Sequence, residues 1–402
     1  MFNLDIFINK FVIERDESLF AKDIQSNSKV ISIAIADKTM LVIGGAGSIG
    51  SSFIKACLPF KPKSLVVVDI NENGLAELTR DLRSTKGMFI PTDYVPYPIS
   101  YASTVFEKML QARGGFDIVA NFSAHKHVRS EKDVYSVEAL LQNNVLDAKK
   151  LLDLLAEYPP EVYFCVSTDK AANPVNIMGA SKRIMEDVIF AYSDKFPVKT
   201  ARFANVAFSN GSLPASFVER FSRQQPISAP KDVKRYFVSP QESGQICMLA
   251  CTLGKNREIY FPKLEKEKMK TFSSIATYFL RENGYEVLEC NSEQGAIDKA
   301  EALKLGSKEY PVYYSNSDTT GEKAYEEFYT PAEQIDLNQF ESLGVITERT
   351  IRPMYEIQDL FDKLKSLFAK SNATKAEIVK ILKDFLPNFE HKEKGKSLDE
   401  KM

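Results

Sequence analysis

Apolar and polar positions alternate in two different rhythms along the chain, and the change falls near residue 207. From residue 37, short continuous apolar runs alternate with segments that are apolar along one helical face. "TMLVIGG", "SLVVVDI", "FDIVANFSA", "VYFCVSTD" and "KTARFANVAF" read as buried strands. Between them, "SSFIKACL", "ENGLAELTRDLRS" and the long "SVEALLQNNVLDAKKLLDLLAEY" carry apolar residues at three- and four-residue spacing and read as helices. Uninterrupted apolar strands are covered on both faces. The alternation therefore predicts an α/β fold, a Rossmann-type doubly wound parallel sheet.

Beyond residue 207, "EIYFPKL" (a strand) and "TFSSIATYFLRENG" (a helix) stand among loops, which predicts a smaller mixed α+β region. Residues 1–36 hold two amphipathic stretches, "FNLDIFINKFVI" and "LFAKDIQ", expected to pack on the body or on a partner subunit. Near the other end, "TKAEIVKILKDFL" reads as a capped helix followed by a charged tail. The expected organisation is a helical prelude (1–36) and a dinucleotide-binding domain (37–207, with returning segments around 236–262). A mainly substrate-binding region (208–350) and a C-terminal helical extension (351–402) follow.

Composition narrows the class. Hydrophobic residues make up 44% and charged residues 26% of 402, as in soluble globular proteins. A net charge of −2 supplies no field for nucleic acid or an anionic membrane, so any anionic ligand must be held by local groups. No apolar run approaches the roughly 18–20 residues of a membrane span. The five scattered cysteines form no CxxC pair, and no secretory leader is evident, which suits a reducing cytoplasm. Cys247 and Cys251, four apart in a helix-like stretch, read as packed thiols. Neither cysteine has a histidine at metal-ligand spacing, so no metal is expected.

"LVIGGAGSIG" ends the first strand with Gly44, Gly47, Ser48, Ile49 and Gly50. Glycines there permit a tight turn and a close approach of backbone to a pyrophosphate, which then faces the free N–H groups of the following helix. Asp69 closes the second strand. A carboxylate there accepts from ribose hydroxyls and repels a 2′-phosphate, so the expected cofactor is NAD rather than NADP.

The stretch "STDKAANPVNIMGASKR" (167–183) delivers Thr168, Asp169 and Lys170 to the carboxyl end of a strand. A helix beginning near Asn176 then places Met178 and Lys182 one turn apart on one face. Together with "GGAGSIGS", "SAHKHVRSEKD", "NVLDAKKLL", "RFANVAFSNGSLP", "KRYFVSPQES" and "TGEKAYEEFYT", these residues make the chain resemble an extended short-chain dehydrogenase/reductase. Within that superfamily it resembles the polysaccharide-biosynthesis-type 4,6-dehydratases of UDP-N-acetylglucosamine. The likeness runs from about residue 37 to 330.

The resemblance implies oxidation at C4, loss of the C5 proton, departure of the C6 hydroxyl as water, and return of the hydride to C6. It makes Asp169 the general acid, Lys170 the C5 base, Thr168 the partner of the C4 oxygen and Lys182 the holder of the nicotinamide ribose. Met178 stands where the wider superfamily has the tyrosine that takes the C4 hydroxyl proton, and a thioether cannot do so. A water held by Thr168 and Asp169 is expected to relay the proton instead, with retention of configuration at C5. The resemblance further places Ala124 at the nicotinamide, and Lys126, His127, Asn205, Ser212 and Arg235 on the substrate side, with Arg235 as a diphosphate clamp. Two departures from the family pattern are Thr319-Thr320 before "GEK" and Asn210 before Gly-Ser. A homo-oligomer is implied. A 4-epimerase, which needs no C5 base, and a non-catalytic NAD-binding protein remain as alternatives, as do uridine and guanosine for the base.

Overall fold

The apolar runs read as strands form the middle of one nine-stranded sheet in the computed structural model, which describes residues 2–127, 131–304, 306–317 and 327–391. Its first six strands are β1 (Thr39–Ile43), β2 (Ser64–Val68), β3 (Asp93–Tyr97), β4 (Ile118–Asn121), β5 (Val162–Thr168) and β6 (Val198–Phe203). They lie in the spatial order β3-β2-β1-β4-β5-β6, all parallel. Every residue of β2 and β6 is buried, as uninterrupted apolar runs require. The chain leaves β1 towards β2 and β3, then crosses back to β4 on the other side. That reversal opens a crevice at the carboxyl ends of β1 and β4.

Three features depart from the sequence reading. β3 was not expected: its residues are only half-buried, and Pro96 is tolerated because the strand lies at the edge. The sheet also continues past β6. The expected strand at Ile259–Pro262 joins it in parallel, and Leu343–Glu348 and Gln334–Asp336, which were not expected, add two antiparallel ones. The expected single helix over 136–158 is interrupted, because Val134–Leu141 and Asp147–Glu157 are joined by a π-turn at Gln142–Leu146.

A second, smaller core forms around a three-stranded parallel sheet of Glu286–Glu289, Glu309–Ser315 and Ile227–Pro230. The N-terminal stretch packs into it through Phe7, Ile8, Val12 and Ile13, beside Phe208, Phe217 and Phe279. The helix Ala21–Ile35 instead joins the main core through Ile31 and Ile35. Arg15 ties the two parts by donating from Nε and Nη2 to the buried carboxylate of Glu242, at 3.0 and 2.9 Å. The prelude thus packs on the body of its own chain.

The helix Ile177–Ala191 follows β5 and is buried on nearly every side. Its outer flank carries Glu186 and Asp187, and both are paired. Arg202 on β6, with no exposure, donates from Nε and Nη2 to Glu186 at 2.8 and 2.7 Å and from Nη1 and Nη2 to Glu333 at 2.9 Å each. Ser167 donates to Glu186 at 2.6 Å, and Arg349 reaches both Glu186 and Asp187. Burial alone would raise Glu186. The guanidinium groups of Arg202, Arg349 and Arg183 outweigh it and hold the carboxylate well below its usual range.

Replacing Glu186 by Ala leaves Arg202 and Arg349 short of a carboxylate in a dry site. The expected loss is about 3 kcal/mol or more, read from urea unfolding at neutral pH. Because the folded state holds Glu186 ionised, its contribution is present above the unfolded value of about 4.3 and fades as pH falls below it. The stability gap between wild type and Glu186→Ala should therefore shrink in acid.

Candidate active site

The Gly-rich turn sits at the crevice and is shaped by atoms that leave no room for side chains. Gly44 has a left-handed backbone (φ 73°), and a Cβ on it would lie 2.6 Å from the Ser123 nitrogen. A Cβ on Gly50 would strike the Gly44 carbonyl oxygen. The N–H of Gly44 is held by the Val68 carbonyl at 2.7 Å, and Gly47 is the N-cap of the helix Ser48–Cys57. Ser48 and Ile49 therefore open a ten-residue helix whose first N–H groups face the crevice.

Asp69 accepts from the Ala46 N–H at 3.0 Å and from the Asn71 N–H at 2.9 Å, one on each carboxylate oxygen. It braces the turn while keeping lone pairs for ribose hydroxyls. Across the crevice, the backbone after β4 passes over Gly44 at Phe122–Ser123, and half-buried Ala124 follows. The cradle has the shape and the donors for a dinucleotide pyrophosphate, and it fits NAD.

Thr168 ends β5, and Asp169 and Lys170 begin a short 3-10 turn. The Thr168 hydroxyl donates to Asp169 Oδ1 at 2.8 Å, and Lys170 Nζ lies 3.1 Å from the same oxygen. The Asp169 side chain is 4% exposed and that of Lys170 19%. One carboxylate oxygen thus serves a hydroxyl and an ammonium at a nearly dry strand end.

The helix carrying Met178 and Lys182 starts where expected, with Asn176 as N-cap accepting from the Gly179 N–H at 2.8 Å. Met178 and Lys182 are both buried. The Lys182 ammonium donates to the Val166 carbonyl at 3.0 Å, which places it beneath the end of β5. Burial holds it below the ordinary lysine value, against the nearby Cys165 and Glu186.

The substrate-side residues are more dispersed. Lys126 Nζ donates to the Asn210 carbonyl at 2.9 Å, and the Asn210 N–H donates to Ser48 Oγ at 2.9 Å. These bonds tie the loop after β4 to the cofactor turn. The His127 ring lies beside Gly211 in the same loop pair. Asn205 lies in a two-residue strand paired with Phe237–Val238. Ser212 caps the helix Leu213–Ser222 by accepting from the Ala215 N–H at 3.3 Å. Arg235 is buried and donates to the Lys234 carbonyl at 2.9 Å. Thr319, Thr320, Glu322 and Lys323 lie outside the described residues, as do 128–130 and 392–402. All five cysteines are buried free thiols, and no cluster suited to a metal occurs among the described residues.

Three residues of the site escaped the sequence reading. Asn144, buried within the π-turn, accepts from the His125 N–H at 2.8 Å and donates to the His125 carbonyl at 2.9 Å and to Ser181 at 3.1 Å. It holds the loop of Lys126 and His127 against the helix of Met178 and Lys182. The doubled Asn143-Asn144 inside an apolar helix pattern was its available signal, since π-turns often mark functional sites. Ile70, next to Asp69, is 78% exposed at the lip of the crevice, where an apolar side chain can cover an adenine face. Glu131 accepts the Met178 N–H at 2.9 Å, a contact invisible in a pattern that assigns charged residues to water.

The sheet order, glycine cradle, strand-end acid and buried helical lysine together give the fold of an extended short-chain dehydrogenase/reductase, the fold of nucleotide-sugar epimerases and dehydratases. A family model described as "Polysaccharide biosynthesis protein" matches residues 40–348, and the chain belongs to that family.

A protein of Methanocaldococcus jannaschii, named an uncharacterized membrane protein, is 30% identical over 79% of this chain and 87% of its own. In this chain no helix among the described residues is long and apolar enough to cross a membrane. The capsular polysaccharide biosynthesis protein CapD of Staphylococcus aureus is 27% identical over 78% of this chain, which spans only 51% of that relative. Among solved structures, Pen from Bacillus thuringiensis superposes with a TM-score of 0.63 at 19% identity, covering 82% of this chain and 98% of its own. A double mutant of DesIV, a dTDP-glucose 4,6-dehydratase of Streptomyces venezuelae solved with NAD, gives 0.52 at 18%, over 72% and 87%. At these identities the structural likeness is one of fold.

Gly50→Ala places a methyl group against the Gly44 carbonyl and forces the cradle open. NAD affinity, measured by calorimetry, is expected to fall by about ten-fold or more while the far-ultraviolet dichroism stays that of the folded protein.

Proposed function

We propose that the protein is an NAD-dependent nucleotide-sugar 4,6-dehydratase that converts UDP-N-acetylglucosamine to its 4-keto-6-deoxy derivative, as a precursor step in surface-glycan or nonulosonic acid synthesis. The observation that carries this reading is the three-residue constellation Thr168-Asp169-Lys170, bonded together at the strand end beside a helix whose usual tyrosine is Met178.

Gly44, Gly47, Gly50 and Asp69 would hold NAD, with Lys182 beneath the end of β5 at its nicotinamide ribose. When bound, it supplies reversible hydride chemistry with no net change of redox state. The chain's own groups move the protons. Met178 cannot accept the C4 hydroxyl proton. Thr168 can pass it on, because its hydroxyl already donates to Asp169 at 2.8 Å. That transfer protonates Asp169, which then delivers the proton to the departing O6, so one proton travels from O4 to O6 and leaves in water. Lys170, as the neutral amine, removes the C5 proton and later returns it to C5. After elimination the two side chains are ammonium and carboxylate, the pair seen at 3.1 Å. Return of the C5 proton restores the neutral Lys170, while Asp169 is already back as the carboxylate. Return from the face of removal would retain configuration at C5.

An epimerase of the same fold needs an acid–base group for the C4 oxygen but none for C5. Lys170 beside Asp169 favours the dehydratase. The test is proton NMR of UDP-N-acetylglucosamine with the purified protein in deuterated water. A new C6 methyl signal with no accumulation of NADH is expected. An altered C4 configuration with the C6 hydroxyl intact would mean epimerisation. No turnover of any UDP- or GDP-sugar would mean a binding protein.

Lys170→Met should abolish the methyl signal with NAD still bound. Thr168→Val, which cuts the relay but keeps the shape, should lower kcat by about a hundred-fold or more at nearly unchanged KM.

A further inference from the structure

The family match ends at residue 348, yet the chain goes on to build two helices, Met354–Phe368 and Lys375–Phe385, that pack back onto the main core. Where this extension touches the catalytic helix is informative. Near the carboxyl end of that helix, Arg349 reaches Glu186 and Asp187, and Arg352 lies 3.4 Å from Asp187. At the amino end the contact is indirect and runs through Glu131. The Lys375 ammonium donates to the Glu131 carbonyl at 2.7 Å, and His391 Nε2 lies 3.6 Å from Glu131 Oε2. The other carboxylate oxygen of Glu131 accepts the Met178 N–H at 2.9 Å. A cleft of about 1170 Å³ lies beside the first attachment, lined by Arg183, Asp187, Arg349 and Arg352 among others.

The amino-terminal attachment bears on the chemistry. The first turn of the helix rests on the backbone of the proposed base: a Cβ on Gly179 would lie 2.8 Å from the Lys170 carbonyl oxygen. The two segments are in direct backbone contact, so a shift of the helix start displaces Lys170 as well as Met178. Glu131 and Asn176 hold consecutive N–H groups of that turn, and Glu131 is 4% exposed. A buried carboxylate on a helix N-terminus is a strong anchor, because charge-assisted bonds and the helix dipole act together in a dry site.

We propose that Glu131 is a positioning residue, and that the C-terminal extension sets it. Through Lys375 and His391, the extension fixes Glu131, which fixes the Met178–Gly179 turn, which fixes Lys170. Residues beyond the family match thereby take part in the alignment of the active site. This rests on the dehydratase reading for its activity readout, and the experiment separates the two.

The experiment uses the full-length protein with NAD and UDP-N-acetylglucosamine, and compares wild type with Glu131→Gln, Glu131→Ala and the double variant Lys375→Ala/His391→Ala. If wild type forms no 4-keto-6-deoxy sugar, the functional reading fails, and amide exchange alone then judges the positioning. Glu131→Ala is expected to lower kcat by about ten-fold or more with KM nearly unchanged, because small misplacements of a reacting group are costly. Glu131→Gln keeps an acceptor for the Met178 N–H and should recover most of that loss. The double variant, which alters only the extension, should speed hydrogen exchange at Met178 and Gly179 by about five-fold or more, with no change in β1. An unchanged kcat in Glu131→Ala would overturn the proposal. So would equal losses in the Ala and Gln variants, or unchanged exchange at residues 178 and 179 in the double variant.

Discussion

The structure hangs on one buried ionic contact, that of Arg202 with Glu186 and Glu333. Taking these charges out of water costs several kcal/mol per ion, and the site is tolerable only because every guanidinium edge meets an oxygen. Arg202 comes from β6, Glu186 from the helix Ile177–Ala191 and Glu333 from the segment entering the antiparallel edge of the sheet. Ser167, next to Thr168 on β5, joins the same carboxylate. The contact therefore sets the distance and angle between the helix bearing Met178 and Lys182 and the strand bearing Thr168. A hydrophobic contact at this place would resist separation but not sliding. A bidentate ion pair resists both.

With that frame rigid, the chemistry can be spread over neighbouring side chains. A tyrosine on the helix would place the C4 base on one element and the C5 base on another. In the proposed dehydratase Met178 removes the first, and the hydroxyl–carboxylate–ammonium series of Thr168, Asp169 and Lys170 would gather the proton traffic at one strand end. The nearly complete burial of Asp169 matters here. In a dry site a proton moved between hydrogen-bonded neighbours is not lost to solvent, which is what the proposed transfer from O4 to O6 through one carboxylate requires.

Much of this was legible in the residues, for definable reasons. Five central strands were readable because burial on both faces demands continuous apolar runs. The cofactor turn was readable because only glycine fits beside the Ser123 nitrogen and the Gly44 carbonyl. β3 was not, because an edge strand is half-wetted and its pattern resembles a loop. The strands Ile227–Pro230 and Glu309–Ser315 were missed because the first is only four residues long and the two pair with each other from positions far apart in sequence. Among the site residues, those on the strand end and the helix start stand together in space. Ser212 and Arg235 were named from the family resemblance, and their hydroxyl and guanidinium also serve a helix cap and a neighbouring carbonyl.

The amino-acid sequence by itself determined the α/β class, the cofactor cradle, and the order Thr168-Asp169-Lys170 with Met178 and Lys182 one turn apart. Each of these is a local matter, governed by side-chain periodicity, by the steric demands of a tight turn, or by neighbours along the chain. Tertiary structure alone decided that Glu131 holds the Met178 N–H, that Asn144 secures the Lys126 loop, and that, from beyond the family's boundary, Arg349 reaches the helix of Met178 while Lys375 and His391 reach Glu131. These contacts join residues up to 260 positions apart. Nothing in a local pattern distinguishes a buried charge with a distant partner from a solvated one, because the partner exists only once the chain has folded.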